Sequence, residues 1–440
     1  MQDQWAIIIP CAGTMLAVVM LVVALRAAKK QRLVDDLPTS KTTGVFIGLV
    51  ELKGTAEVQT PLRSYLAGGA CVWYSWNVQE HWSRTVTETY TDSDGKTQTR
   101  TRTESGWTTV AQGGEQIPFY LRDDCGVILV RPEGATIEPV TVFDETCGQF
   151  EALYYAKGPA GAVANSDHRR RFVEKAVPLH AMLYVVGQAR ERSDIVAPEI
   201  TEDKDAPMFL ISTRSEEQVS RGLGLTFWLT AIFGLVLVVA GFVWGDARHG
   251  FYPQSPNALK YVAIGFAYLF SWALGWIWMA YNSLVNLRQR VRQAWSNVDV
   301  QLKRRNDLIP NLVNAVKGLR DYERNLQTEL AALRAQLTAT PPGVAGPDHD
   351  GCVPLLMAVS ERYPEVKADG SFLNLQKNLT ETEQRIALAR GYFNDIATFY
   401  NTRLQVVPDR FIAAMGGMQP QTLMTASGFE RAPVTVDFAS

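Results

Sequence analysis

The run Tyr281-Asn282-Ser283-Leu284-Val285 carries an uncharged apolar stretch, residues 261–281, without a break into a long amphipathic one. A chain of this kind folds as a helix that leaves a membrane and continues in water, so its C-terminal third is helical and rigidly coupled to a bilayer. Residues 5–25 and 222–244 are equally free of charged side chains. About 20 apolar residues cross a hydrocarbon core of roughly 30 Å, so the sequence predicts a multi-domain membrane protein with three transmembrane helices. A cleaved signal peptide is the competing reading of the first stretch. It fails on layout: there is no basic lead-in and no small-x-small cleavage site, and the cations Arg26, Lys29, Lys30 and Arg32 follow the apolar run. The first span reads as a retained anchor.

Those cations also orient the chain. They follow span one, Arg214 and Arg221 precede span two, and Arg288, Arg290, Arg292, Lys303, Arg304 and Arg305 follow span three. The short loop between spans two and three holds only Arg248, His249 and Lys260. The positive-inside rule then places the N-terminus outside and both large soluble regions in the cytoplasm, at the inner membrane. Pro253 and Pro256 mark the outer turn of a helical hairpin.

Composition narrows the class. A net charge of −2 over 440 residues offers no field for nucleic acid. The five cysteines, Cys11, Cys71, Cys125, Cys147 and Cys352, form no C-x-x-C pair, which argues against a zinc ribbon or a redox motif. In the cytoplasm they are expected as free thiols. The eleven tryptophans are expected mainly in or beside the spans, as interfacial anchors.

Residues 33–221 read as β-rich. Segment 45–58 alternates around Gly48 and Gly54, and 71–78, 127–130, 136–142, 171–176 and 182–187 add short strands bounded by Gly and Pro, the pattern of a small barrel or sandwich. Between His81 and Val110, threonines alternate with charged and polar residues around Asp94-Gly95, which spells a hairpin with a turn of positive φ. Neither of its faces is apolar, so the hairpin is expected to project as a solvated ribbon or as a contact arm. The motifs V-E-L-K-G-T-A-E (50–57), P-L-R-S-Y (61–65), C-V-W-Y-S-W (71–76), E-H-W-S-R (80–84), L-H-A-M-L-Y-V-V-G (179–187) and F-L-I-S-T-R-S-E-E (209–217) resemble the GIDE-type domain. That domain occurs beside membranes, including in a mitochondrial E3 ubiquitin ligase that also carries a RING. The paired Cys and His zinc ligands of a RING are absent from this sequence, so ligase activity is not expected to carry over.

Residues 282–440 show the stronger periodicity. Leu284, Leu287, Val291, Ala294, Val298, Leu302, Ile309, Leu312, Val316, Leu319, Leu326, Leu330, Leu333 and Leu337 recur at spacings of three and four, with Arg305 and Glu323 in the skipped positions. This predicts a long helix with one packing seam, kinked at Pro310. A second seam, Phe372, Leu375, Leu379, Thr382, Ile386, Ala389, Phe393, Ile396, Tyr400 and Arg403, predicts an antiparallel partner. A loop at 338–350 and a shorter helix at 353–363 complete a bundle of three or four helices. The motifs Y-N-S-L-V (281–285), A-W-S-N-V-D-V-Q-L-K-R-R-N-D-L-I-P-N-L-V (294–313), V-K-G (316–318), E-R-Y-P-E-V-K-A (361–368), F-L-N-L-Q (372–376), T-E-x-R-I (382–386), A-R-G-Y-F-N-D (389–395) and Y-N-T-R (400–403) resemble the LemA family. The resemblance implies an α-helical, membrane-anchored bundle without an assigned catalytic activity.

Candidate chemistry is sparse. The polar knot Asp299, Gln301, Lys303, Arg304, Arg305, Asn306, Asp307 and Asn311 is expected to face Glu381, Glu383, Arg385 and Arg390, either as interhelical salt bridges that set register or as an oligomer contact. A di-iron bundle would need E-x-x-H, and the region's only histidine, His349, lies in the loop. His81, His168 and His180 are isolated, and His81 beside Trp82 reads as packed. The run K-G-P-A-G-A-V-A (157–164) lacks the ending of a phosphate loop and reads as a plain loop. Arg169, Arg170 and Arg171 read as a solvated strand edge, with attraction to the anionic inner leaflet as the alternative. No catalytic, cofactor-binding or metal residue is assigned.

The expected plan is an anchor and basic flank at 1–32, a GIDE-like domain at 33–221, a transmembrane hairpin at 222–281 and a LemA-type bundle at 282–440. The expected function is a non-enzymatic membrane scaffold that self-assembles, with lipids and further copies of itself as partners, in envelope organisation or stress response. The alternative is a ligand-sensing or enzymatic β domain regulated through the bundle. Candidate oligomer contacts are Leu284, Leu287 and Val291, for which the sequence offers no intrachain mate, and the hairpin tip at Asp94 and Gly95.

Overall fold

The computed structural model describes residues 2–91, 97–192, 194, 197–204, 206–248, 258–319 and 370–424. The expected outer turn at Pro253 and Pro256, the loop at 338–350, the helix at 353–363 and the hairpin tip at Asp94 and Gly95 lie outside these residues. Two compact units form, Thr39–Glu216 and the remainder, Met1–Pro38 with Glu217–Ser440.

The β unit is a barrel joined to a second sheet. Strands β1 (Thr39–Ser40), β2 (Gly48–Glu57), β3 (Leu62–Arg63), β4 (Ala70–Thr91), β5 (Thr97–Gln116), β6 (Phe119–Arg122) and β7 (Val127–Val130) come first. Then come β8 (Thr136–Glu138), β9 (Val140–Gly148), β10 (Ser166–Pro178), β11 (Met182–Glu191), β12 (Pro198–Thr201) and β13 (Leu210–Ser212). The ring closes through β2–β6, β6–β7, β7–β12, β12–β11 and β11–β2. Closure removes the edges that an open sheet would leave exposed. Period-two alternation fills the interior: Val50, Leu52, Phe119, Leu121, Ile128, Val130, Val185 and Ile200 are buried together. Gly54 is required on β2, because a Cβ there would stand 2.3 Å from the carbonyl oxygen of Arg122.

The second sheet runs β3-β4-β10-β9, with β5 also on β4. Where the sequence pattern suggests a strand and a separate ribbon, β4 is one strand of 22 residues. Its register with β5 runs from Trp73↔Gln116 to Thr91↔Thr97. Trp76 and Trp82 face Gly113 and Gly106 directly across that register, and each indole covers the opposed glycine. Part of the tryptophan complement, Trp73, Trp76, Trp82 and Trp107, therefore lies on β4 and β5 and not in the spans. Beyond Trp82, where β10 ends its pairing, the hairpin is two-stranded.

In the helical unit, α1 (Gln2–Asp35), α3 (Glu216–Arg248) and α4 (Ala258–Leu319) are the helices long and apolar enough to cross a membrane. The short α2 (Ala152–Ala156) belongs to the β unit. Glycines set the approach of the long helices, because a Cβ would meet a neighbouring helix. A Cβ on Gly13 would stand 3.2 Å from the Cα of Gly241, one on Gly234 would meet the Tyr268 hydroxyl at 2.3 Å, and one on Gly275 would meet Leu25 at 2.6 Å.

Helix α4 continues through Pro310 as one element of 62 residues, about 93 Å at 1.5 Å per residue. After it come α5 (Gly370–Arg403) and α6 (Asp409–Met415). Trp295 meets Phe393 and Arg305 meets Glu383, so α5 lies antiparallel on α4. The two seams mate as their spacing predicts: Ala294 and Val298 are buried, and so are Leu379, Thr382, Ile386, Phe393, Ile396 and Tyr400.

Candidate functional site

The densest buried chemistry of the helical unit lies where its apolar helices end. Helix α1 runs past its apolar stretch and delivers Arg32, Asp35 and Asp36 to one place. The guanidinium of Arg32 donates from Nη1 and Nη2 to both carboxylate oxygens of Asp409, at 2.9 and 2.8 Å, and lies over the Trp276 ring. Arg403, the last residue of α5, donates from Nε to Asp36 at 2.7 Å and stands 3.7 Å from Asp409. Ser220 of α3 donates to Asp35. Burial pushes the Asp36 carboxyl above its ordinary range, although Arg403 and Arg32 pull it down. Planar two-point pairing of this kind specifies geometry as well as energy. The cluster ties the first apolar helix to the end of α5 and the start of α6.

A second arrangement fixes the chain beyond α6. Asn401 donates from Nδ2 to the carbonyl of Gln421 and accepts the Gln421 N–H at Oδ1, both at 2.8 Å. Asn394 does the same to Met424, at 2.9 and 2.8 Å. Two turns of α5 thus match the span from Gln421 to Met424, and two side-chain amides hold that last described segment along the helix.

The asparagine clamp, and the Arg403 and Asp409 ends of the charged cluster, lie in a region shared with known proteins. Residues 294–438 match the LemA family, and residues 87–245 match the GIDE family, described as E3 ubiquitin ligase. The chain thus carries a LemA-type region and a GIDE-type region. It is similar to Protein LemA of Metamycoplasma hominis, 22% identical over 204 residues, covering 43% of this chain and 93% of that protein. It is also similar to Magnetosome protein MamQ 2 of Paramagnetospirillum magneticum, 24% identical over 173 residues, and to MamQ of Magnetospirillum gryphiswaldense, at 23%. The MamQ alignments span 32% of this chain and 63% of those relatives, less than two thirds of their length.

The LemA region includes both asparagines, in G-Y-F-N-D and Y-N-T-R, and the clamp gives those motifs a physical reason that periodicity does not reveal. Paired asparagines seven residues apart on one helix face are the available signal. The polar knot is only partly brought together. Arg305 is 4% exposed with Nη1 3.6 Å from Glu383, while Lys303 and Arg304 are exposed. The side chains of Asn306 and Asn311 lie outside the described residues.

Leu284, Leu287 and Val291 need correction. The sequence offers them no intrachain mate, which makes them candidate oligomer contacts, yet they are 1%, 2% and 2% exposed within the single chain. Leu284 packs with Ala280, Ile412, Ala413 and Met418. The mate of Leu284 is α6, too short for periodicity to reveal.

The β unit holds its own charged cluster. Arg170 and Glu80 are fully buried side by side, with Nη2 and Nε of Arg170 at 3.0 and 3.1 Å from Oε2. The same guanidinium donates to the carbonyls of Tyr154, Pro159 and Gly161 and covers the Tyr154 ring. Tyr154 and Ser166 donate to the other Glu80 oxygen. Although burial pushes Glu80 up, the hydrogen bonds from Ser166, Arg170 and Tyr154 outweigh it and hold the carboxyl below its usual range. Two expectations change here. Arg170 is not on a solvated edge, because β10 lies between β4 and β9; its neighbours Arg169 and Arg171 are the exposed ones. The K-G-P-A-G loop is also more than a plain connection, since Arg170 fastens it, and a Cβ on Gly158 would stand 2.4 Å from the Tyr154 carbonyl.

His81 pairs with Asp167 and meets Trp107 edge-on. Asp123, Asp124 and Cys125 converge at the β6–β7 turn. The Asp123 carboxylate spends its lone pairs on Thr42, Cys125 and Gly126, as a turn cap does.

Proposed function

We propose that this protein is a non-enzymatic, membrane-anchored scaffold that assembles with copies of itself at the inner face of a membrane. The N-terminus lies outside, and the GIDE and LemA regions lie on the inner side. The observation that carries this reading is α4, one helix that begins as a membrane-spanning candidate and ends as the first helix of the LemA region. The Arg32–Asp409 and Arg403–Asp36 pairs fasten that bundle to the end of the first apolar helix. A device of this kind transmits position and load between a bilayer and a soluble bundle. The basic residues that end α1 and follow the apolar part of α4 favour the inner side.

Self-assembly rests on the two-stranded part of the β4–β5 hairpin. Among the described residues, β5 pairs only with β4 along its 20 residues and leaves its outer edge open. Open edges of this length invite a neighbouring strand. The native mass of the detergent-solubilised protein tests the reading, with the hairpin beyond Trp82 replaced by a short turn as the variant. A multimer that dissociates in the variant supports it; a monomeric wild type ends it. Orientation is tested with an impermeant thiol reagent on intact cells carrying Cys125 or Cys352 as the single cysteine. Labelling from outside inverts the arrangement.

A further inference from the structure

Helix α6 and the turn before it expose apolar side chains that the bundle does not use. Met415 is 88% exposed, Phe411 64%, Val407 63% and Val406 46%. Scattered apolar residues on a surface are ordinary; the position of these four is not. The opposite face of α6, Ile412 and Ala413, packs with Met418 against Ala280, Leu284 and Trp276. Trp276 and Ala280 belong to the last turns of the uncharged stretch 261–281. A Cβ on Gly416 would stand 3.1 Å from the Tyr281 ring. Tyr281 is itself 43% exposed, so the apolar surface of the span runs on into that of α6.

The charges agree with this depth. Asp409, the acidic residue of α6, is 2% exposed and held by both Arg32 nitrogens, so the helix presents no free anion. Arg410 is exposed beside Phe411, and Arg26, Lys29 and Lys30 are exposed on α1. A short helix with apolar side chains outward, its acid neutralised and cations beside it suits the boundary between hydrocarbon and headgroup phosphates.

We infer that α6 and Val406-Val407 form an interfacial wedge, with Phe411 and Met415 inserted among the acyl chains of the leaflet in which span three ends. This rests on span three lying in a bilayer and is independent of its orientation and of self-assembly. The wedge turns the junction of span and bundle into a surface contact, so that α4 is held at the membrane boundary from the side as well as along its axis.

The test is spin-label accessibility in liposomes of zwitterionic and anionic phospholipid. Full-length protein carries Cys only at Met415→Cys or, as the control, at Lys377→Cys on α5. Both positions are exposed, so neither label disturbs the core. At position 415 the ratio of oxygen to water-soluble nickel-chelate collisions should be several-fold higher than at 377. Equal ratios at the two positions place α6 in water and overturn the inference. A label at 415 that is immobilised and shielded from both reagents also overturns it, because the patch is then a protein contact. The native mass measurement is unaffected by either outcome.

Discussion

The β unit and the helical unit each bury a charged cluster, and they use it at opposite ranges. Arg170 and Glu80 are 90 residues apart on paired strands, and their cluster closes a nearby loop. Arg32 and Asp409 are 377 residues apart, Arg403 and Asp36 367, and their cluster joins segments from the two ends of the described chain. The chemistry is the same; the consequence differs. A local cluster whose donors are all satisfied fixes the shape of one domain. A long-range cluster at the end of three apolar helices fixes how a bundle is held to them.

That contrast can be broken most sharply in the β unit. Arg170→Met leaves Glu80 buried without its cation, so unfolding of the β unit should lose about 3–5 kcal/mol, with Glu80→Met restoring part of it. Denaturant titration with a fluorescent label in each unit reads this, and the helical unit should not move. A smaller effect is expected in the helical unit. Asp409→Asn keeps one acceptor for Arg32 but removes the charge, at about 1.5–3 kcal/mol. Hydrogen exchange should then rise in α6 and at the end of α1 while the GIDE strands stay protected.

Acid should separate the units again. The folded Glu80 carboxyl lies below its unfolded value, so its stabilisation is present above the ordinary carboxylate pKa and is lost as pH falls through the folded one. Asp36 lies above its unfolded value because burial disfavours its charge, so stability there rises as pH falls through the folded value toward the ordinary one. The midpoint of the β unit should therefore drop first on acidification. A midpoint that falls first in the helical unit would mean that Asp36 does not govern its acid response. The smallest expected effect is at the clamp. Asn394→Ala with Asn401→Ala removes neutral hydrogen bonds worth about 1 kcal/mol each. It should free residues 421–424 to protease while leaving the Arg32–Asp409 tie intact.

Much of the fold is legible because it depends on period. Spacings of three and four mark the α4 and α5 seams, and the burial of Ala294, Val298, Leu379, Ile386 and Ile396 agrees with them. Alternation around glycines marks β2, and short apolar runs bounded by turn residues mark β7 and β11. Period cannot show the partner of Leu284, since α6 has only seven residues. Nor can it show the fate of Arg170, because a run of arginines reads alike on an edge and in the middle of a sheet. The Asn394–Asn401 clamp is hidden for a related reason. Side-chain amides that bind backbone leave no pattern in the segment they bind.

The sequence by itself determined the elements: three apolar helices, the join of the third to an amphipathic one, the alternating strands and the Thr-rich hairpin. These depend on propensity and on which face must leave water, and both are written in neighbouring residues. The tertiary structure decided which charges meet, that α6 covers Leu284, and that the strands β2, β6, β7, β12 and β11 close into a barrel. Those outcomes depend on residues far apart in the chain. A buried charge finds its counterion, and a free strand edge its partner, only when the whole fold brings them together.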